Sequence, residues 1–532
     1  MSELINRAGF TADGDSRADR RQTPFYRLLL VSNRNPISTC NLAKRIDRQL
    51  SGAKISGIIL KAPRADTRWL RILLQRAIDL VIGIVHASPA KPEGTAESEL
   101  ADFLQECHRR DWPLIVQEDF VTPEASAFMQ NHPADLALLI GAPHLPADVL
   151  PLFPHGSLLV EITPLSPDAA TAASGEVCIT IQSTQVANAS PSSVSARLPV
   201  QPRDTPRTIA LKAELISNDL LLQMVSSYST GNIDRAPEEA NAWQKRMLPQ
   251  HRPSTGCPPG HSEIATTRPL WKMCLHTLAL VSPYVILRNW YRRARGQFPV
   301  VVLFHHLVSD RPHRMGMPTE TFLRQVQFLQ RYYRVISLSE ALKELRAGSV
   351  KAPTVVLTFD DVYEDNFLCL RAILEQTGVP ATLFICPEIV TGHKEFQHDQ
   401  EDGQTGFPSL GWEQARYWQS ETIEFGSHTR SHFDCGSSVR PTLEEEIVGS
   451  RNEIESHMGK PVRFFAFPWG KSASMSSAAK EIATSAYECC FSTMEHEILP
   501  MQQGTKSTVS GRKFLVANAW NLEVDLQSVF ER

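Results

Sequence analysis

The sequence has little of what would place it in several large protein classes. Its 532 residues carry a formal net charge of −4, which gives no support to nucleic-acid binding. The ten cysteines are scattered without a CxxC pattern, so neither a disulfide scaffold nor a cysteine zinc site is expected. The polar N-terminal stretch lacks the apolar core of a secretory signal. We therefore expect a cytoplasmic protein of two or three domains with reduced thiols.

A long uninterrupted apolar run is also missing. Leu270–Leu287 is apolar but contains Lys272, His276 and Pro283, and it is shorter than the roughly 20 residues of a spanning helix. The basic run 288–295 follows it. Residues 270–295 therefore fit an amphipathic helix that contacts a membrane surface peripherally. The alternative is a linker helix packed between two domains, and it is the preferred interpretation.

Composition and periodicity divide the chain into four parts. Residues 1–24 are expected to be disordered. In residues 25–230, strand-like runs such as YRLLLVS and ISGIILK alternate with helix-like runs, which predicts an α/β domain with a parallel sheet. Residues 231–297 begin with a stretch rich in proline, polar and charged residues, which predicts a linker that ends in the apolar and basic helix. Residues 298–532 show a second strand and helix alternation.

Two adjacent carboxylates follow a strand-like run in Thr354–Phe367, TVVLTFDDVYEDNF. Burial of both Asp360 and Asp361 is costly unless a partner offsets their charge, although aspartate is also common in turns and helix caps. His428 and His432 follow another strand-like run, in IEFGSHTRSHFD. Two histidines and one carboxylate are a frequent catalytic zinc set. The C-terminal ends of parallel strands meet at one rim, so these motifs are expected to converge there.

These motifs, with FAFPWG (465–470) and the opening VVLFHH (301–306), resemble the polysaccharide deacetylase superfamily, also called NodB-homology or carbohydrate esterase family 4. The resemblance extends from about Pro299 to Asn521. It implies a distorted (β/α) barrel.

The resemblance also implies roles for the aspartates and histidines. Asp361, His428 and His432 would hold a divalent metal, zinc in the first place, with cobalt or manganese as alternatives. Asp360 would be the general base that takes a proton from water.

The third motif and the barrel mouth supply the remaining candidates. The backbone N–H of Trp469 is the implied oxyanion donor. His305 matches the family's early histidine and is a candidate catalytic residue, with a structural hydrogen bond as the alternative. Tyr363, Phe467 and Pro468 are the implied substrate-binding residues.

The sequence departs from the family pattern in places. Val362 stands where glycine is usual, and a β-branched residue would be strained there if the backbone needs a positive φ. The leucine-x-histidine motif that supplies a general acid in many members is missing. His496 fits that role poorly, and the acid is left unassigned. Arg512 matches a basic position seen in some relatives.

The first half resembles the formyltransferase fold through His132–Leu165 and two later segments. Leu159 and Glu161 stand where that family has its catalytic asparagine and histidine. Leucine donates no hydrogen bond, and glutamate is a poor replacement for a neutral donor. The resemblance therefore implies an open parallel sheet that binds a sugar nucleotide, positions the second domain or is structural, and that transfers no formyl group.

Together these observations predict a metal-dependent hydrolase that removes an N-acyl group, acetyl by family default, from an amino sugar in polysaccharide or glycolipid-precursor metabolism. Its substrate would be an amino sugar, an oligosaccharide or a lipid-linked sugar. Two alternatives stay open: a non-catalytic carbohydrate-binding pseudoenzyme, and a deformylase acting on a formylated amino sugar.

Overall fold

The structure is a computed structural model that describes residues 26–50, 52–62, 78–87, 96–145, 149–164, 175–184, 193–230, 235–249, 278–420, 422–436, 439–494, 498, 509–514, 523, 526 and 527. The segment 1–24, predicted to be disordered, and His496 lie outside the described residues. None of the helices in the described part of the chain is long and apolar enough to cross a membrane.

The N-terminal half is built on a seven-stranded sheet in the order β3-β2-β1-β4-β5-β6-β7. Its strands are β1 (Tyr26–Ser32), β2 (Ala53–Lys61), β3 (Leu114–Gln117), β4 (Leu136–Ile140), β5 (Ser157–Pro164), β6 (Glu176–Thr184) and β7 (Ser193–Pro199). The first five run parallel, as predicted, but β6 and β7 are antiparallel. The links 165–175 and 185–192 are shorter than the dozen or more residues of a parallel crossover, so each strand reverses direction.

Helices cover this sheet and extend into the predicted linker. They are α1 (Pro36–Gln49), α2 (Ala96–Arg110), α3 (Pro123–Asn131), α4 (Pro206–Ser229) and α5 (Ala236–Met247). Residues 78–85 are also helical. Helix α4 begins at a capping box in which Thr205 and Thr208 satisfy each other's backbone N–H groups, and Pro206 occupies the first turn. Helix α5 lies within the predicted linker 231–297 and buries Trp243, so part of that stretch is folded.

The C-terminal half is a curved parallel sheet in the order β17-β16-β15-β14-β13-β12-β8-β18, with β11 also paired to β12. Its strands are β8 (Val300–His305), β11 (Arg334–Val335), β12 (Thr354–Phe359), β13 (Ala381–Ile385), β14 (Ile423–Ser427), β15 (Phe464–Ala466), β16 (Cys489–Phe491), β17 (Val509–Ser510) and β18 (Lys513–Phe514). A separate pair, β9 (Leu307–Val308) and β10 (Gly316–Met317), lies beside it. The two edge strands β17 and β18 are separated only by Gly511 and Arg512. This short link brings the edges together, which confirms the predicted distorted barrel.

Helices alternate with these strands. They are α6 (Pro283–Arg295), α7 (Thr319–Tyr332), α8 (Leu338–Arg346), α9 (Cys369–Thr377), α10 (Pro387–Gly392), α11 (Gln397–Glu401), α12 (Trp412–Trp418), α13 (Arg440–Glu444), α14 (Ser450–Met458) and α15 (Ser477–Ala486). A π-helical turn, Glu445–Gly449, joins α13 to α14, and short 3-10 turns occupy Leu150–Leu152, Glu364–Phe367 and Ser472–Ser474. Strands β8 and β12 are buried on both faces, as their runs of valine and leucine require.

The two halves are joined by buried charges on α4. Lys212 lies 2.5 Å from Asp204 and 3.0 Å from Asp310 of the barrel domain. Two turns further along α4, Asp219 pairs with Arg45 at 2.5 Å and with Arg371 at 2.7 Å. These charges are almost fully buried and each is paired, which is the condition for tolerating them away from water.

Candidate active site

Two adjacent aspartates follow the C-terminal end of β12. The N–H of Asp360 donates to the carbonyl oxygen of His305 at the end of neighbouring β8, at 2.8 Å. Asp361 takes a left-handed backbone conformation with φ +51°. Val362 is absent from the positive-φ residues and is buried in the core, so the strain considered for it does not occur there. The turn is made one residue earlier, at an aspartate, which tolerates this region better than valine does.

Asp360 is held by Arg512. The arginine Nη1 donates to Oδ1 at 2.7 Å, and Nη2 donates to Oδ2 at 2.6 Å. Arg512 is fully buried beside the rings of Phe304 and Phe384 and donates a further bond to Thr358 Oγ1 at 3.2 Å. Burial alone would raise the pKa of Asp360, but the Arg512 guanidinium lowers it to about 2. Asp360 is therefore an ionised carboxylate over the whole physiological range.

Three imidazoles surround the carboxylate of Asp361. The Nε2 atoms of His432 and His428 lie 3.4 and 3.7 Å from Oδ1, and Nε2 of His398 lies 3.9 Å from Oδ2. Asp361 Oδ1 is buried and has no hydrogen-bond partner among the described residues. The residues Asp361, His398 and His432 offer ligand atoms within 4.8 Å of one another. Oxygen and imidazole donors at these separations fit a divalent cation placed between them.

The tautomer of His428 is fixed by the strand beside it. Its Nδ1 lies 2.7 Å from the carbonyl oxygen of Ala466, which only accepts, so Nδ1 carries the proton. Burial lowers the pKa of His428, which keeps the ring neutral. The Nε2 lone pair therefore faces Asp361, as in metal-binding histidines whose second nitrogen donates to a carbonyl.

The loop that carries the two predicted histidines is strained and braced. Thr429 and His432 have φ values of +60° and +61°. Glu446, in the π-helical turn, accepts hydrogen bonds from the N–H groups of Arg430 and Ser431 at 2.9 and 3.0 Å, and from Ser431 Oγ at 2.8 Å. Residues other than glycine keep a positive φ only where the surrounding contacts hold them in that conformation. The π-turn thus holds His432 over Asp361.

His398 was missed by sequence reasoning. It lies on α11 in the long connection between β13 and β14, outside every motif that the sequence offered. Tyr363 supports this helix, because its hydroxyl donates to Asp399 at 2.8 Å and lies 3.4 Å from His398 Nε2. Asp399 also faces His313 Nε2 at 3.3 Å. The only signal available was a cluster of histidine and acidic residues in QHDQE, which is common on exposed helices.

The predicted substrate-binding residues occupy different surroundings. Tyr363 and Phe467 are fully buried and Pro468 is buried, so they shape the site from beneath and do not face the outside. Trp469 is 43% exposed, has φ +55°, and its ring lies edge-on to His432 with centroids 4.5 Å apart. Among the described residues, none accepts a hydrogen bond from the Trp469 N–H. The geometry thus favours Trp469 over the other three for contact with a substrate.

The adjacent histidines at the end of β8, His305 and His306, have different surroundings. His305 is buried and faces the ring of Phe359, and burial lowers its pKa to about 3. His306 is half-buried; burial and the neighbouring His428 lower its pKa to about 4, against the opposing effect of Asp360. The sequence motif selected the first of two adjacent histidines, and nothing in it distinguished the second.

Among the described residues of the first half, the formyltransferase positions carry no equivalent cluster. Leu159 is buried in the core against β4, and Glu161 is exposed on β5, where Gln182 Nε2 donates to it at 3.3 Å. His132 ends α3 and lies 2.9 Å from the carbonyl oxygen of Phe128, while His155 stacks on Tyr26. These contacts are structural.

Comparison with known proteins supports the assignment of the C-terminal half. Residues 347–487 match the family model described as polysaccharide deacetylase. YxkH from Bacillus subtilis (strain 168), whose name includes the words polysaccharide deacetylase, is 22% identical over 186 residues, which are 34% of this chain and 60% of that protein. The chain thus spans less than two thirds of that relative's length.

Two groups of solved structures are similar in fold. The structure of IcaB from Ammonifex degensii is 20% identical, covers 43% of this chain and 97% of that chain, and has a TM-score of 0.36. Glycinamide ribonucleotide transformylase 1 from Symbiobacterium toebii is 12% identical, covers 41% of this chain and 94% of that chain, and has a TM-score of 0.26. The predicted likeness to deacetylase hydrolases is confirmed by the family model, and formyltransferases occur among the structures similar to the N-terminal region.

Proposed function

We propose that this protein is a metal-dependent hydrolase that removes an N-acetyl group from an amino sugar in polysaccharide or glycolipid-precursor metabolism. The observation that carries the proposal is the pair of adjacent aspartates with opposite environments. Asp360 is an ionised carboxylate paired with Arg512, whereas Asp361 faces three imidazoles and leaves one oxygen unbonded. Two carboxylates whose surroundings differ in this way take different roles in a hydrolytic site.

Asp361, His428 and His432 are proposed to hold the metal, and His398 completes the set. A divalent cation bound there supplies a Lewis acid for the acyl oxygen and lowers the pKa of an attacking water. Zinc suits the two or three imidazoles and one carboxylate, and cobalt and manganese take similar donors.

Asp360 is proposed to take the proton from the attacking water. The new C–O bond forms to the acyl carbon, the C–N bond breaks, and the amine leaves with the proton that Asp360 took from the water. Arg512 holds both carboxylate oxygens, so Asp360 is oriented before the reaction and stays ionised. The N–H of Trp469 is proposed to donate to the oxyanion that develops on the acyl oxygen, and its exposed ring to contact the sugar. His305, predicted as catalytic, is proposed to act through packing beneath this arrangement.

The test combines metal content with acetate release. Purified protein should contain about one divalent ion per chain, and it should release acetate from N-acetylated amino-sugar oligomers. The double variant Asp361→Asn, His428→Ala should lose both. Absence of metal, and none taken up from added zinc, cobalt or manganese, would contradict the hydrolase and favour the carbohydrate-binding alternative. Release of formate in place of acetate from matched substrates would identify the deformylase. A cytoplasmic location stays a prediction.

A further inference from the structure

Helix α6 is attached to the rest of the protein through polar groups. Asn289 is buried, and its Nδ2 donates to the carbonyl oxygen of Val85 at 2.7 Å and to Gln527 Oε1 at 2.9 Å. Arg288 Nη2 donates to the carbonyl oxygen of Gln527 at 2.9 Å, and Arg293 donates to that of Ala87. A helix on the surface of a protein ordinarily packs its apolar side inward. In α6 the inward side buries Val285 and Asn289, whereas most of the larger apolar side chains of the helix face outward.

The outward side of α6 is apolar and aromatic. Tyr284, Leu287, Trp290 and Tyr291 are 72%, 68%, 59% and 56% exposed. Their spacing of three and four residues places them on one side of the helix. The preferred interpretation from the sequence, a linker helix packed between domains, does not account for this side, because its large apolar residues contact neither domain extensively.

A neighbouring segment extends the same apolar surface. The helical residues 78–85, whose last turn accepts the Asn289 bond, expose Ile78, Leu80, Val81 and Ile84, and Leu278 and Val281 precede α6. With the four residues of α6, these make up ten of the sixteen exposed large hydrophobic side chains in the described part of the chain. We call these ten residues the outer face. Clustered exposure of this kind marks an interaction site, whereas scattered exposure does not.

The charge around the outer face is positive. Helix α6 contains Arg288, Arg292, Arg293 and Arg295 and no acidic residue, and Arg295 lies over the ring of Tyr291 at 5.4 Å. The acid on the neighbouring segment, Asp79, is neutralised: it pairs with Arg331 and accepts from the Tyr332 hydroxyl, so it does not offset the arginines.

We propose that the outer face docks on the surface of a bilayer that contains anionic lipids. Tryptophan and tyrosine, which have an apolar ring and a polar tip, suit the headgroup level, and arginines beside them attract phosphate groups. The thirteen residues of α6 are about 20 Å long, too short to cross a hydrocarbon core of about 30 Å, so the helix lies in the interface. A contact between two copies of the chain is the less favoured occupant, because the core of such an interface is depleted in charged residues.

The docking surface lies away from the candidate active site. Helix α6 leads into β8 at that strand's N-terminal end, whereas the site residues follow the C-terminal ends of the strands. The six residues of β8 span about 20 Å. The outer face therefore attaches the protein to a membrane and leaves the catalytic rim open to a glycan outside the lipid. This inference does not depend on the proposed chemistry.

The test uses the full chain and sedimentation with vesicles. Protein should sediment with phosphatidylcholine vesicles that contain phosphatidylglycerol and much less with phosphatidylcholine alone. The double variant Leu287→Ser, Trp290→Ser should bind the anionic vesicles at least about tenfold more weakly, since interfacial binding scales with the apolar area inserted. The matched control, Val121→Ser with Val439→Ser, changes two exposed apolar residues elsewhere and should bind as the unchanged protein does.

Circular dichroism and metal content of the double variant should match those of the unchanged protein, which shows that it is folded. Failure of the unchanged protein to bind anionic vesicles would overturn the proposal. A dimer that the double variant abolishes, seen by analytical ultracentrifugation without vesicle binding, would assign the outer face to a second copy and would also overturn it. If the unchanged protein binds anionic vesicles but releases no acetate from the amino-sugar substrates, only the proposed function is contradicted.

Discussion

Arg512 and Asp360 form a bidentate ion pair at the point where the barrel closes. Arg512 lies in the two-residue link between edge strands β17 and β18, and Asp360 follows β12, the third strand from the β18 edge. The link that closes the barrel therefore places the Arg512 guanidinium beside Asp360, which keeps the proposed base ionised. The fold and the electrostatics of the site depend on the same residue.

Replacement of Arg512 should reveal this dependence in the pH profile of acetate release. In Arg512→Gln the counter-ion is lost, so burial is no longer opposed and the pKa of Asp360 rises from its value of about 2. We expect the acidic limb of kcat/KM to move to higher pH. The plateau should fall by up to about 10²-fold, because Asp360 is still present as the base but is no longer held in orientation.

Two comparisons separate this effect from simple unfolding. Arg512→Lys keeps one charge and should restore the acidic limb in part, although it loses the bidentate geometry. Arg463→Gln removes another strand-flanking arginine, which pairs with Glu488 away from the site, and should leave the profile unchanged. A plateau lowered in Arg512→Gln without any shift of the limb would show that Arg512 only supports the fold.

Metal affinity should depend on His398 as well as on the histidines of the HTRSH motif. His398→Ala removes a ring whose Nε2 lies 3.9 Å from Asp361 Oδ2. We expect cobalt to bind about 10 to 100-fold more weakly and the visible spectrum of the cobalt protein to change, because the set of ligands or their supports changes. Metal titration and absorption spectra measure both without a substrate.

The matched control is His457→Ala. This histidine stacks on Trp412, with ring centroids 4.1 Å apart, and has no contact with the candidate site. The cobalt affinity and the visible spectrum of the His457→Ala variant should equal those of the unchanged protein. An unchanged affinity and spectrum in His398→Ala would place His398 outside the metal's surroundings, and the predicted set of Asp361, His428 and His432 would then suffice.

The sequence predicted the fold where hydrophobic pattern and motif agree. The valine-rich runs of β8 and β12 favour buried parallel strands, and Asp361 and His428, which follow the parallel strands β12 and β14, then share a rim. The alternation of strands and helices predicts an open parallel sheet for the first half, and the antiparallel strands β6 and β7 depart from it. Their direction is set by link length, which the alternation of elements does not reveal by itself.

Only the site residues that lie within the sequence motifs could be predicted. His398 comes from a connection between strands, and connections carry no periodicity that places a side chain over a particular carboxylate. Arg512 could be matched to a basic position in relatives, but its pairing with Asp360 follows from barrel closure. The burial of Tyr363 and Phe467 likewise depends on packing against distant elements, so the sequence could not separate them from exposed Trp469.

The strained backbone at Trp469 should trade stability against substrate binding. A non-glycine residue at φ +55° costs roughly 1–2 kcal/mol, which glycine does not incur. Trp469→Gly should remove this strain and so raise the free energy of unfolding. The gain is reduced by up to about 1 kcal/mol, because glycine makes the unfolded chain more flexible. We expect a melting temperature equal to or above that of the unchanged protein, together with a KM raised more than kcat is lowered, because the exposed ring is lost. Trp469→Phe keeps a ring and should show a much smaller change in KM. A destabilised glycine variant would mean that ring contact with His432 outweighs the strain.

Asp219 joins the two halves through buried ion pairs. Its carboxylate pairs with Arg45 at 2.5 Å and Arg371 at 2.7 Å, and all three side chains are almost fully buried. Asp219→Asn keeps the shape but leaves two buried guanidinium groups that share the single carboxylate of Glu375, which pairs with Arg45 at 2.8 Å and with Arg371 at 2.6 Å. Breaking a buried pair costs about 3–5 kcal/mol in the free energy of unfolding, and we expect the lower end of this range because Glu375 still offsets part of the charge. Urea unfolding at pH 7 measures it.

The pH dependence has a defined sign. Burial would raise the pKa of Asp219, but Arg371 and Arg45 lower it below its ordinary value. A carboxylate with a depressed folded pKa stabilises above its unfolded pKa of about 3.9, and the contribution is lost as the pH falls further. The difference between the unchanged protein and Asp219→Asn should thus be constant near neutral pH and shrink below about pH 4. Asp135→Asn is the control: it breaks a partly exposed pair with Arg27 and should cost no more than about 1 kcal/mol. Equal costs for the two variants would show that the Asp219 pair does not hold the halves together.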